Sequence, residues 1–176
     1  ATKAAAAPTR SVLEAIRANW TWGFFQANRW RFSQRTSQAA GDADRDLAEM
    51  ASWDLRQIVD EIQHQFAVAL ADEAGLKQLP VDDWAMLIEP GSMGSGYRPT
   101  IWDVVVHDAI AFHVMGERGF AEPEDAFELE ASSPALQDVE AFRRWKPAGP
   151  DGGGAVSDTE SPLPAVAGLY QALLAF

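Results

Sequence analysis

The sequence contains no cysteine. Disulfides, thiolate nucleophiles, zinc–thiolate sites and any cysteine-derived thioester are therefore excluded within this chain. Basic residues are scarce beside acidic ones: 14 Lys and Arg stand against 26 Asp and Glu, a formal net charge of −12, with a pI near 4.5. A surface of that sign repels phosphate backbones and anionic lipids, so no nucleic acid is expected as a partner. No apolar run approaches the ~20 residues that a bilayer demands, and membrane insertion by this segment is not expected. Ala1 to Pro8 is rich in alanine but has no apolar core of signal-peptide type, so a signal peptide is not expected in this chain. The ending, Leu169 to Phe176, is apolar to its last residue. That leads to the expectation of a fragment of a longer protein.

What is present suits a folded domain. Hydrophobic residues make up 47% and charged residues 23%, close to globular averages. A chain of 176 residues buries about 70% of the surface its unfolded form exposes, so it folds without a metal or a disulfide.

Helical periodicity dominates. Thr9 to about Gln34 reads as a long helix with an apolar stripe of Leu13, Ile16, Trp20, Phe24 and Ala27 at steps of three and four. Trp22, Phe25, Trp30 and Phe32 widen it. A second helix starts near Asp54, where Asp54 and Gln57 have capping-box spacing. Its buried face is Leu55, Ile58, Val59, Ile62, Phe66, Ala69 and Leu70, with Gly75 as the stop. Pro80 to Ile88 predicts a short helix. Thr100 caps a third long helix with Asp103 in its first turn and Gly116 at its end. The β-branched run Ile101 to Val106 leaves a buried strand as the alternative there. Phe120 to Ala131 is acidic and predicted irregular. Ser133-Pro134 opens a further helix with Leu136, Val139, Phe142 and Trp145 inward, and Ser161-Pro162 opens the last one. The expected fold is therefore all-α, an irregular multi-helix array of antiparallel helical hairpins. It forms a single helical domain over 1–176, with a flexible internal loop at 146–161.

No arrangement expected of a catalytic centre, cofactor site or metal site emerges. Glu61-x-x-His64 has di-iron spacing, yet a bundle site needs a second copy and the sequence has none. Asp103, His107 and His113 do not form a strong ligand pattern. Gly91, Gly94 and Gly96 precede a helix, but Tyr97-Arg98-Pro99-Thr100 stands where a phosphate loop needs Lys and then Ser or Thr. No serine occupies a Gly-x-Ser-x-Gly elbow. Asp82-Asp83 and Glu124-Asp125 are sequence neighbours in polar segments, where solvent leaves no reason for a shifted pKa. The seven tryptophans could line a sugar-binding face; their helical spacing assigns most of them to the core.

Two stretches have wording that core packing alone does not require. One runs from Phe24 through Gln26-Ala27-Asn28-Arg29-Trp30-Arg31-Phe32 to Arg35-Thr36, followed by Trp53-Asp54-Leu55. The other is Tyr97-Arg98-Pro99-Thr100-Ile101-Trp102-Asp103 running into His107-Asp108-Ala109. In order and spacing they resemble the N-terminal helical region of large bacterial alpha-2-macroglobulin-like proteins, and the likeness runs from about Leu13 onward. The complete proteins of that family trap proteases through a cleaved bait segment and, in many members, a thioester. The resemblance implies a non-catalytic helical accessory domain of an exported, periplasmic or cell-surface protease inhibitor. Its partners would be other domains of the parent protein and, through the parent, proteases. No functional residue of the family carries over to a position in this chain. Asn28, Arg29, Trp30, Arg31, Tyr97, Arg98 and Trp102 are the candidate contact or structural signature. A free-standing helical interaction scaffold is the alternative, and a metal-binding helical bundle a further one.

Overall fold

The computed structural model describes residues 7–34, 47–88, 96–115, 129–146 and 162–176. Among these residues the structure is all-α, with six α-helices: α1 (Ala7–Ser33), α2 (Leu55–Leu70), α3 (Glu73–Leu76), α4 (Ile101–Val114), α5 (Val139–Arg144) and α6 (Pro162–Ala175). Short 3₁₀ turns sit at Leu47–Ser52, Val81–Trp84 and Pro134–Leu136. Contacts gather into two units, Ala1–Ala109 and Ile110–Phe176. The expected irregular segment at 120–131 and loop at 146–161 lie almost wholly outside the described residues, as does the Gly116 stop.

The first unit is organised by α1 and α2, which pack on each other. The face that α1 buries differs from the predicted stripe. Val12, Ala15, Ala18, Phe25 and Phe32 are buried, together with Ser11, Glu14 and Thr21. At 100° per residue these lie opposite Leu13, Ile16, Trp20, Phe24 and Ala27. Leu13, Ile16 and Phe24 are half-buried and Ala27 is exposed, while Trp20 keeps 76% of its surface open. The side that α1 buries is the more polar one, carrying Ser11, Glu14 and Thr21 among its apolar residues, and small Ala15 and Ala18 allow close approach of a neighbour. Near its end α1 bends at Asn28, whose φ of −121° and ψ of 17° leave the helical region. The Asn28 amide donates to the Phe24 carbonyl at 2.8 Å, and Phe32 meets the rings of Phe24 and Phe25 at 6.0 and 5.8 Å.

Local signals set the start of α2. The Gln57 backbone N–H donates to Asp54 Oδ1 at 2.8 Å, and the Asp54 N–H donates to Gln57 Oε1 at 2.9 Å. This is the reciprocal cap that the spacing predicts. Ile58, Val59, Ile62, Phe66 and Ala69 are buried as expected. Gly75 is not the stop of this helix. The chain leaves α2 at Ala71, and Asp72 immediately caps α3 by accepting from the Gly75 N–H at 3.3 Å. Asp72 also accepts from Ser11 Oγ at 3.3 Å, tying α1 to this corner.

Pro80 precedes a 3₁₀ turn, Val81–Trp84, that continues in turns to Ile88. The predicted regular helix does not form because Pro80 is held extended in an antiparallel bridge with Thr100. Val81 N–H donates to the Pro99 carbonyl at 3.0 Å and Ile101 N–H to the Leu79 carbonyl at 2.9 Å. From Ile101 onward the chain is helical, not a strand, and most of α4's circumference is buried between Ile101 and Ile110.

In the second unit the single helix expected after Ser133 is broken in two. Ser133 caps only the 3₁₀ turn, and Asp138 caps α5 afresh by accepting from the Ala141 N–H at 2.8 Å. The break turns Leu136 and Val139 outward, while Phe142 and Trp145 are half-buried. Gln171 of α6 donates to the Phe142 and Trp145 carbonyls at 2.7 and 2.8 Å, satisfying the open end of α5. In α6 Pro164 and Ala167 are the buried positions.

Two glycines give opposite predictions. A Cβ on Gly75 would lie 2.5 Å from the Asp72 carboxylate, whereas one on Gly23 meets nothing within 4 Å. Gly75→Ala should displace the cap and the Ser11 link, lowering stability by about 1 kcal/mol. Gly23→Ala, in an exposed helical position, should raise it by about 0.5–1 kcal/mol. Urea unfolding followed by circular dichroism measures both.

Candidate functional site

The polar groups that α1 turns inward form one connected cluster with α2. Arg17 Nη2 donates to Glu61 Oε1 at 2.9 Å, and its Nη1 reaches Glu14 Oε2 at 3.4 Å. Gln65 Nε2 donates to the same Glu61 oxygen at 2.6 Å. Glu14, Glu61 and Gln65 are buried, and Arg17 lies at the boundary with solvent. Two buried carboxylates share one guanidinium, so the arrangement holds only while Arg17 is present. Glu61 is thereby committed to Arg17 and Gln65, and His64 is exposed. The Glu61-x-x-His64 pair is thus separated in environment. Among the described residues no group of three or more His, Asp and Glu side chains is placed to hold a metal ion.

A second polar set links α1 to the start of α4. Asn19 Nδ2 donates to Asp108 Oδ2 at 3.0 Å and to the Ala15 carbonyl at 3.2 Å. Burial raises the Asp108 pKa above the ordinary value of 3.8, because desolvation outweighs the Asn19 hydrogen bond and the charges of Arg98 and His107. Asp103 accepts from both the backbone N–H and the hydroxyl of Thr100, at 2.9 and 2.7 Å. His107 Nδ1 lies 2.7 Å from the Asp103 carbonyl. A carbonyl only accepts, so that nitrogen carries the hydrogen.

The seven signature residues do not converge on one place. Asn28 marks the bend of α1, Arg29 is exposed and Arg31 is half-buried. Trp30 is 64% exposed and Tyr97 80% exposed, so neither is a core residue. Trp102 is the reverse: it is buried, with Lys77 Nζ 4.2 Å from its ring centroid. Lys77 also pairs with Glu73 at 2.6 Å. Arg98 is half-buried, its Nε enclosed and without a hydrogen-bond partner among the described residues. The tryptophans divide likewise: Trp53 and Trp102 are buried, Trp22, Trp84 and Trp145 half-buried, Trp20 and Trp30 exposed.

Sequence reasoning set Glu61-x-x-His64 aside as a metal pair and missed the set that Glu61 forms with Glu14, Arg17 and Gln65, as well as Asn19. The available signal was spacing. Glu14–Arg17 and Glu61–Gln65 are i,i+3 and i,i+4 pairs, and Glu61 and Gln65 fall on the face set by Ile58 and Ile62. Comparison with protein-family models, with curated proteins and with solved structures finds no match to this chain.

Both polar sets are testable. Arg17→Met should cost about 1–3 kcal/mol by leaving buried carboxylates unmet. Adding Glu61→Gln should recover part of that loss, and additive effects in the double-mutant cycle would show the pair to be uncoupled. For Asp108 the folded-state pKa is raised, so the folded chain binds more protons than the unfolded one above pH 3.8. Stability then falls as pH rises from 3.8 through the folded value. Asp108→Asn should flatten that slope and be the more stable protein at neutral pH, as read from thermal melts across pH.

Proposed function

We propose that this chain is a non-catalytic helical contact module, an accessory part of a larger exported protein of the bacterial alpha-2-macroglobulin-like protease-inhibitor kind. The observation that carries the contact role is the outer side of α1. Trp20 is 76% exposed in the middle of a long helix, beside half-buried Leu13, Ile16 and Phe24. A large rigid ring held outward on a helix that is anchored from its other side has the character of an interface anchor. The polar residues support the same reading, since Glu14, Arg17, Asn19, Glu61, Asp103 and Asp108 are engaged in joining or capping helices. The placement in a protease inhibitor at the periplasm or cell surface rests on the sequence likeness, most of all on Asn28 to Arg31 and Tyr97 to Asp103. Other domains of the parent are the partners that this reading names.

Sequencing the parent reading frame beyond Phe176 and immobilising its downstream domains tests this. The frame should encode β-sandwich domains, and they should retain the helical chain. Trp20→Ala should weaken retention at least ~10-fold while changing stability by no more than about 0.5 kcal/mol, as expected of an exposed position. A stop codon shortly after Phe176, or full retention of the variant, would sink the proposal.

A further inference from the structure

Two enclosed polar atoms of the contact between α1 and α2 are unmatched. Arg17 Nε is a donor and Gln65 Oε1 an acceptor, and neither has a hydrogen-bond partner among the described residues. The rest of each side chain is engaged at a single point. Arg17 Nη2 and Gln65 Nε2 both donate to Glu61 Oε1, at 2.9 and 2.6 Å, while Arg17 Nη1 reaches Glu14 at 3.4 Å. In the rigid guanidinium fork the Nε–H runs parallel to one N–H of Nη2, so it points past Glu61 Oε1 on the same edge. The Gln65 oxygen is bonded to the same carbon as the nitrogen that meets Glu61. Both unmatched atoms therefore lie beside one carboxylate. Gln65 is only 1% exposed, so bulk solvent does not reach its amide, and an unmet acceptor there carries its full desolvation cost.

The chemistry of the pair restricts what can sit between them. An anion is repelled by Glu14, Glu61 and the Gln65 oxygen, and a cation is repelled by Arg17. A neutral molecule that accepts on one side and donates on the other suits both atoms, and water is the smallest that does so. We infer that one internal water is bound where α1 meets α2, accepting from Arg17 Nε–H and donating to Gln65 Oε1. Its second hydrogen serves the Glu61 carboxylate, which gives about three hydrogen bonds, the usual number for a buried water. The molecule satisfies both side chains without altering the charge balance of Glu14, Arg17 and Glu61. Arg17 lies at the boundary with solvent, which provides a route of exchange. The site is independent of whatever the Trp20 side of α1 contacts.

A high-resolution crystal structure and proton NMR of the 176-residue chain test it together. The density should show one ordered peak within about 3.2 Å of both atoms, refining as water and not as an ion. In solution the Arg17 Nε–H should give a cross-relaxation peak to water with the sign of a bound molecule. Gln65→Met removes the acceptor and keeps an unbranched side chain, and the peak should be lost in that variant while melting stays cooperative. Glu14→Gln, which alters only the partner of Nη1, should keep the peak. A side chain seated against either atom overturns the inference. So does density that meets only one of them, an ion at that place, or a cross-peak that persists in Gln65→Met. Should Gln65→Met fail to fold, the density and the cross-peak of the unaltered chain decide by themselves, and the lack of either overturns the inference.

Discussion

Glu61 lies within the contact between α1 and α2, where water cannot solvate its carboxylate fully. A charge in that position must be met by another charge and by hydrogen bonds, or the helices cannot close on each other. Arg17 and Gln65 both reach its Oε1 atom, and Glu14 meets Arg17 from the preceding turn. The fixed reach of a guanidinium leaves little choice about which side of α1 faces α2. With that side selected, Trp22 meets Phe66 edge-on at 6.5 Å, and Ser11 meets the Asp72 corner. Trp20, on the other side of the same helix, is left facing solvent. One ion pair with a buried carboxylate thus joins α1 to α2 on the side of α1 away from Trp20.

The segment from Tyr97 to Asp108 illustrates how an unusual run of residues can be used by architecture alone. Pro99 contributes its carbonyl to the bridge with Val81, and Thr100 and Asp103 cap α4 reciprocally. Trp102 goes under Lys77, where an ammonium over an indole face joins α3 to α4. Asp108 returns to α1 through Asn19. Thr100, Asp103 and Asp108 thereby satisfy backbone or buried groups that would otherwise cost free energy. Tyr97 and Trp30 differ from the rest in being held outward.

The features legible in the sequence are those whose cause is local. Capping at Asp54–Gln57 and at Thr100–Asp103 needs only residues three apart, so both helix starts are where the spacing puts them. The inward face of α2 is equally clear, because its apolar positions are confined to one side. All-α character follows from such periodicities together. Local signals also misled where two of them competed. Gly75 looked like a stop, yet Asp72 restarted the helix first; Ser133-Pro134 opened a turn, yet Asp138 capped the helix that followed.

Tertiary structure alone decided the rest. The face of α1 that is buried, the commitment of Glu61 to Arg17, the pairing of Asn19 with Asp108 and the exposure of Trp20 all depend on partners dozens of residues away. Single-helix periodicity marks the Leu13–Ala27 stripe of α1, and the fold buries the opposite side, where Arg17 and Asn19 reach Glu61 and Asp108 and small Ala15 and Ala18 admit a neighbour. The sequence by itself determined which segments coil and where most begin. The surface they leave for other molecules was determined by which sides were consumed in packing.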